Sequence, residues 1–258
     1  MKNIVMLAVL CLLGSGAAQA AVVHEIVTFE QDGTVLEGYL VWDDALEGSR
    51  PGVLVVHQWK GLSDNERMRA DMLAELGYVA FATDIYGQGI RPANSAEASA
   101  EAGKYYGDLS LYRARLQAGL DELKRQPGVD PNRLAAIGYC FGGKGVLELA
   151  RSGADLAGVV SFHGNLDTAM PAEDEDVKAK VLVCHGAVDP FVKPEAVQAF
   201  LSEMEAVNVD YQLIMYAGAV HAFTQKGAGN DPSKGAAYNE VADHRSWIAM
   251  KNFFEEIF

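Results

Sequence analysis

Six short and nearly unbroken apolar runs constrain this chain more than any other feature: "GVLVVH" (52–57), "YVAFAT" (78–83), "LAAIGY" (134–139), "LAGVVSFH" (156–163), "AKVLVCH" (179–185) and "VDYQLIMY" (209–216). A strand that is apolar on both faces must be covered on both, which is the condition of a parallel sheet. Helical patterns fall between most of them. Ser63 and Glu66 form a capping box ahead of Met68, Met72, Leu73 and Leu76, and Gly77 supplies the stop. Leu109, Tyr112, Leu116, Leu120 and Leu123 step by three and four, as one buried helix face does. A further helix opens after Cys140. Pro194 starts another, with Val197, Phe200, Leu201 and Met204 on one side, and an amphipathic pattern from Ala236 to Ile257 closes the chain. Residues 92–104 are polar and alanine-rich and offer no such face. At the other end, Val22–Phe29 and Val35–Trp42 flank the turn "QDGT" and read as a β-hairpin. This alternation predicts an α/β fold, a mostly parallel central sheet of about eight strands with helices on both faces. Chemistry in such folds collects at the carboxyl ends of the strands.

No repeat or low-complexity linker divides the chain, so residues 21–258 are expected to form one domain. Residues 1–20 are set apart as a signal peptide: Lys2, an apolar run from Ile4 to Leu13, and Ala18-Gln19-Ala20 as an A-x-A cleavage site. The mature protein is expected to begin near Ala21, in the periplasm or the medium, with no integral membrane span and as a monomer or small homo-oligomer. The formal charge is -14, from 21 Lys and Arg against 35 Asp and Glu. Phosphate backbones and anionic membranes are poor partners for so acidic a protein, so no nucleic-acid partner is expected.

Two cysteines lie beyond that signal, Cys140 and Cys184. An oxidising compartment would permit a bridge between them, but a chain of this length needs no staple, and two free thiols are the expectation. Cys140 lies in Gly138-Tyr139-Cys140-Phe141-Gly142, a G-x-C-x-G at a strand-to-helix turn. Such a nucleophile elbow brings the flanking glycines together, exposes the central side chain and aims the next backbone N–H at the reacting centre. The following helix N-terminus favours negative charge on the sulfur. On this motif alone, a nucleophile and a buried structural cysteine remain equally open. The later residues favour the first: Asp189 follows one apolar strand and His221 the next, in the chain order that an elbow nucleophile requires. The backbone N–H groups of Phe141 and Trp59 are the expected oxyanion donors. Gln58, Tyr86, Phe191 and Phe223 are the expected walls of the substrate pocket, with Trp59 and Phe141. His57, His163 and His185 also end strands. No metal-ligand spacing accompanies them, so they are expected to be hydrogen-bonded rim residues, with no metal and no cofactor.

"GYCFGGKG" (138–145), the stretch from His185 to Pro190, "GAVHAF" (218–223), "DIYGQG" (84–89) and "YNEVADHRSW" (238–247) together resemble the dienelactone hydrolase family of α/β-hydrolases over nearly all of the mature chain. The resemblance implies the α/β-hydrolase fold, a triad of Cys140, Asp189 and His221, and hydrolysis of a small ester or lactone through a thioester acyl-enzyme. Two departures stand out. The family's glutamate in the loop after the third strand is Gln58 here, and the arginine a few residues past the histidine is replaced by Gln225 and then Lys226. Arg91 or Lys60 are the candidates to replace that arginine as an anion clamp, although each is more readily a solvated surface charge. Two other readings stay open: a binding module for a small apolar ligand on the same fold, and a thiol redox device pairing Cys140 with Cys184.

Overall fold

The structure is a computed structural model that describes residues 22–173 and 177–258; the expected signal at residues 1–20 lies outside the described residues. An antiparallel hairpin, β1 (Val22–Gln31) and β2 (Thr34–Asp43), leads into β3 (Arg50–Val56), α1 (Asp64–Glu75) and β4 (Val79–Thr83). Two helices follow, α2 (Ser95–Gly107) and α3 (Leu109–Arg125), then β5 (Val129–Tyr139), α4 (Phe141–Arg151) and β6 (Gly158–Phe162). The chain ends with β7 (Lys180–Gly186), α5 (Pro194–Ala206), β8 (Tyr211–Tyr216) and α6 (Glu240–Ile257). The eight strands form one sheet in the order β1-β2-β4-β3-β5-β6-β7-β8, antiparallel at β1, β2 and β4 and parallel from β4 onward. This is the α/β-hydrolase arrangement.

The strand side chains alternate between two cores. Leu54 and Val56 join α2, α3, α4 and α5 through Tyr105, Tyr112, Val146 and Phe200. Val53 and Val55 join α1 and α6 through Leu73, Met250 and Phe254. A period of two over two covered faces is why these strands read as unbroken apolar runs. Among the described residues, no helix is long and apolar enough to cross a membrane.

Three elements differ from the sequence expectation. Residues 95–107 are helical, with Asn94 as the N-cap and Ala98, Ala102 and Tyr105 as the buried stripe. Alanines at i and i+4 bury too little area to stand out as a hydrophobic face. In α1 the inward face is Arg69, Ala70, Leu73 and Ala74, while Met68 is 40% and Leu76 44% exposed. A charged residue takes the core-facing position because Arg69 donates to Asp243 at 2.6 Å and to the Thr224 carbonyl at 2.8 Å. Finally, α6 begins at Glu240, capped by Asn239, and not at Ala236. Ala236 instead forms a parallel bridge with His221, with Ala237 N–H donating to the His221 carbonyl and the Gly235 carbonyl accepting from His221 N–H.

The capping box of α1 is complete: Ser63 Oγ accepts from Asn65 N–H, and Glu66 accepts from Ser63 N–H at 3.0 Å. Ser63→Ala should therefore lower stability by about 1 kcal/mol, read from the urea midpoint. A midpoint within error of the wild type would show that the cap carries no weight.

Candidate active site

The site starts with the turn between β5 and α4. Cys140 is held at φ 54°, ψ -110°, outside the regions that L-residues favour. Its neighbours explain why the chain tolerates this. A Cβ on Gly138 would collide with the Gly142 carbonyl, and one on Gly142 with the Val56 carbonyl, so both positions admit only glycine. The turn is pinned from two strands: Cys140 N–H donates to the Phe162 carbonyl at 3.0 Å and Gly142 N–H to the His57 carbonyl at 2.9 Å. The thiol is left half-buried at the carboxyl end of the sheet. The Phe141 and Trp59 N–H groups have no hydrogen-bond acceptor among the described residues.

His221 follows β8 and Asp189 follows β7, so both reach the same end of the sheet. His221 Nδ1–H donates to Asp189 Oδ2 at 2.8 Å, and the other carboxylate oxygen accepts from Phe191 N–H at 2.8 Å. The Asp189 side chain is completely buried. Burial by itself would deprive His221 of its proton. The negative charge of Cys140 first, and then the hydrogen bond to Asp189, reverse this and raise its pKa to about 10.

Two other imidazoles hold this arrangement from behind. His163 is fully buried and sits at φ 42°. Its Nδ1 accepts a second bond from Cys140 N–H at 3.2 Å, and its Nε2–H donates to Thr224 Oγ1 at 2.7 Å. The ring lies edge-on to His221 at 5.2 Å, so one neutral imidazole ties the elbow to the His221 loop. His57 Nδ1–H donates to the Gln58 carbonyl at 2.6 Å and its Nε2 accepts from Ile85 N–H at 3.1 Å. Burial holds both below the usual histidine range, His57 at about 3. His185 is different: its buried Nδ1 has no hydrogen-bond partner among the described residues.

The expected pocket residues separate into two groups. Tyr86 is buried against Phe141 and donates from its hydroxyl to the Trp59 carbonyl at 3.0 Å. Phe191 is 58% exposed and presents its ring edge-on to His221 at 5.4 Å. Phe223 does not line an open wall: it is completely buried, packed on His163 and Tyr216 in the core under α6. Its place two residues past His221 turns it toward the sheet. Arg91 is no free clamp either, because Glu37 holds its guanidinium at 2.6 Å and Asp84 lies 3.6 Å away. Lys60 is exposed.

Gln58 is buried, and its amide donates to Glu66 Oε1 at 3.2 Å. Glu66 itself is completely buried by the capping box of α1. A neutral amide at position 58 satisfies that carboxylate, whereas a glutamate there would place two acids together in the interior. Cys184 is free, buried and pushed up to about 12 by burial, with the Tyr216 hydroxyl donating to its sulfur. It forms no bridge to Cys140.

Sequence reasoning missed His163 as a link and Tyr106 as a neighbour of the elbow. Tyr106 packs on Phe141 at 5.5 Å, with the Lys144 ammonium 5.2 Å from the centre of its ring. No spacing rule joins residue 106 to residue 140; only the packing of α2 against α4 does. A separate crevice of about 660 Å³ opens between α1 and α6, with Met68, Met72 and Trp247 among its walls, and contains none of Cys140, Asp189 and His221.

With this geometry established, comparison with known proteins is informative. The model of the dienelactone hydrolase family matches residues 36–258. A solved dienelactone hydrolase-like promiscuous phosphotriesterase from metagenomic libraries is 41% identical, covers 92% of this chain and 99% of its own, and superposes with a TM-score of 0.86. An uncharacterized protein of Caenorhabditis elegans is 40% identical over 150 residues, 57% of this chain and 94% of its own length. A protein of Aquifex aeolicus, provisionally named a carboxymethylenebutenolidase, is 25% identical over 240 residues, 90% of this chain and 97% of its own.

Restoring the acid at position 58 tests the pairing with Glu66. Gln58→Glu should lower the urea midpoint, and by more at pH 8 than at pH 5. The new carboxyl would titrate above its unfolded value of about 4.3, so its cost is absent below that value and grows as pH rises through the folded one. Equal losses at the two pH values would contradict the pairing.

Proposed function

The chain belongs to the dienelactone hydrolase family, a family of hydrolases, and from that premise we propose that it cleaves a small ester or lactone with Cys140 as nucleophile, His221 as general acid and base, and Asp189 as the group that orients and charges the imidazole. The observation that carries the reading is the strained Cys140 on its two-glycine turn, interacting with a histidine whose other nitrogen is bonded to a buried carboxylate. Strain of this kind costs about 1–3 kcal/mol and persists where the surroundings impose it.

In the first half-reaction the Cys140 thiolate attacks the carbonyl carbon. The oxygen takes up the negative charge opposite the Phe141 and Trp59 N–H groups. The C–O bond breaks as the intermediate collapses, and the imidazolium of His221 gives its proton to the departing oxygen. What remains is a thioester on Cys140 and a neutral His221. In the second, His221 takes a proton from water, the resulting hydroxide attacks the thioester, and the acid departs as thiolate and imidazolium are restored. Asp189 keeps the Nδ1–H tautomer throughout, leaving Nε2 for the proton traffic. With Gln58 neutral and bonded to Glu66, activation of the thiol falls to His221.

A second reading rests on the metagenomic relative, whose name is that of a promiscuous phosphotriesterase. The same thiolate and N–H pair suit a neutral aryl phosphotriester, and turnover of paraoxon by the wild type alone would place that activity on this chain. We also propose that the protein works outside the cytoplasm, after loss of residues 1–20. Cell fractionation with N-terminal sequencing of the mature chain tests this; recovery of the uncleaved chain in the cytoplasm overturns it.

Cys140→Ala should reduce hydrolysis of p-nitrophenyl acetate by at least about 10³-fold with an unchanged circular dichroism spectrum, on the scale seen when a nucleophile is removed. Undiminished turnover would remove Cys140 from the role of nucleophile. The pH profile is a separate check. The alkaline limb of kcat/KM should fall as pH rises through about 10, where His221 loses its proton. Asp189→Asn should move that limb to lower pH, and a limb that stays in place would remove Asp189 from the assignment.

A further inference from the structure

Four tyrosines surround Phe141, the residue after the nucleophile: Tyr86 at 5.3 Å, Tyr105 at 5.9 Å, Tyr106 at 5.5 Å and Tyr112 at 4.6 Å between ring centres. Three of them spend their hydroxyls on the protein. Tyr86 donates to the Trp59 carbonyl at 3.0 Å, Tyr105 to the Ile85 carbonyl at 2.9 Å and Tyr112 to the Phe141 carbonyl at 2.7 Å. All three are nearly or fully buried, whereas Tyr106 is 41% exposed and its hydroxyl has no hydrogen-bond partner among the described residues.

The Tyr106 ring is nonetheless fixed. Phe141 lies against it, and the Lys144 ammonium sits 5.2 Å from its centre, itself anchored to Asp167 at 3.0 Å. The position is one residue short of the end of α2, where Asp108 begins the next helix by accepting from Leu111 N–H. A phenol ordinarily titrates near pH 10, so the hydroxyl keeps its proton and remains a donor through neutral pH. A preorganised donor without an internal acceptor, at the margin of the elbow, is a group waiting for a ligand oxygen.

Which part of the substrate meets it follows from the proton transfer. The leaving oxygen must face His221, which puts the leaving group on the side of Phe191, whose ring touches His221. The acyl group then extends the other way, past the Cys140 turn toward Tyr106, whose ring packs on the fully buried Phe141. We propose that Tyr106 is a specificity-determining residue that donates a hydrogen bond to an oxygen in the acyl group, so that the preferred substrates are esters or lactones of oxygen-bearing acids (alkoxy, hydroxy or oxo acids). A purely alkyl acyl chain would displace water from the hydroxyl and return no acceptor. This inference rests on the hydrolase reading above.

The test compares phenyl methoxyacetate with phenyl butanoate, which share a leaving group and differ by one oxygen in place of one methylene. The quantity is the ratio of their kcat/KM values, divided by the ratio of their rates in alkaline buffer so that intrinsic reactivity cancels. In the wild type this corrected ratio should exceed unity, and Tyr106→Phe should lower it by about 5- to 10-fold, the worth of one hydrogen bond, while the butanoate value changes by less than about 2-fold. Thermal melting of the variant confirms that it is folded. An unchanged ratio, or an equal loss on both esters, overturns the assignment of Tyr106 while leaving the hydrolase reading intact. If the wild type hydrolyses neither ester, nor p-nitrophenyl acetate, the hydrolase reading fails and this inference fails with it.

Discussion

The close approach of the chain to itself at residues 138–142 is the constraint on which the rest of the structure depends. The backbones of Gly138 and Gly142 meet with no room for a side chain, and Gly142 also lies against the end of β3. That contact forces Cys140 out of the usual backbone regions and lifts its sulfur from the sheet. The turn is clamped between two parallel strands, with its N–H groups donating to carbonyls that end β6 and follow β3. The middle of the sheet, which has no edge to fray, is therefore also the place where a strained residue can be kept. Asp189 and His221 sit after successive strands on one side of that point, so the order of strands in the sheet carries them to the cysteine without long loops.

The histidines at this end of the sheet show how one side-chain type is divided between roles by its surroundings. His57 and His163 are sealed in the interior, bonded at both nitrogens, and burial keeps them neutral. His221 is also largely enclosed, but it has the Cys140 sulfur on one side and a buried carboxylate on the other, and these hold its proton. The neutral pair holds the backbone in place, and the charged one is the histidine to which the proposed reaction assigns the proton transfers. His163 is important for another reason: one ring accepts from the backbone of Cys140 and donates to the loop that carries His221, so displacement of either is felt by both.

Much of this was legible in the sequence because the signals were dense and local. The apolar runs gave the strands, Ser63 and Glu66 gave the start of α1, and G-x-C-x-G with a later aspartate and histidine indicated where to look. What escaped notice shares one cause, that tertiary contacts decided it. The helix at 95–107 presents small alanines, too weak a stripe to register. Arg69 occupies a core-facing position because Asp243 and Thr224, more than 150 residues away in sequence, neutralise and bond it. Residues 236–237 forgo helix to brace His221. Phe223 was expected on the pocket wall, but its position past His221 turns it into the core, and Arg91 is consumed by Glu37. Tyr106 and the bond from Gln58 to Glu66 depend on helices meeting across the fold, which no spacing along the chain announces.

The covalent intermediate tests the central claim most directly. The protein would be mixed with p-nitrophenyl acetate, quenched in acid within the first turnovers, digested and examined by mass spectrometry. The expected result is one acetyl group on the peptide that contains Cys140, released by hydroxylamine and missing from Cys140→Ala. Full turnover with Cys140 unmodified under every quench, or an adduct confined to another residue, would contradict the account.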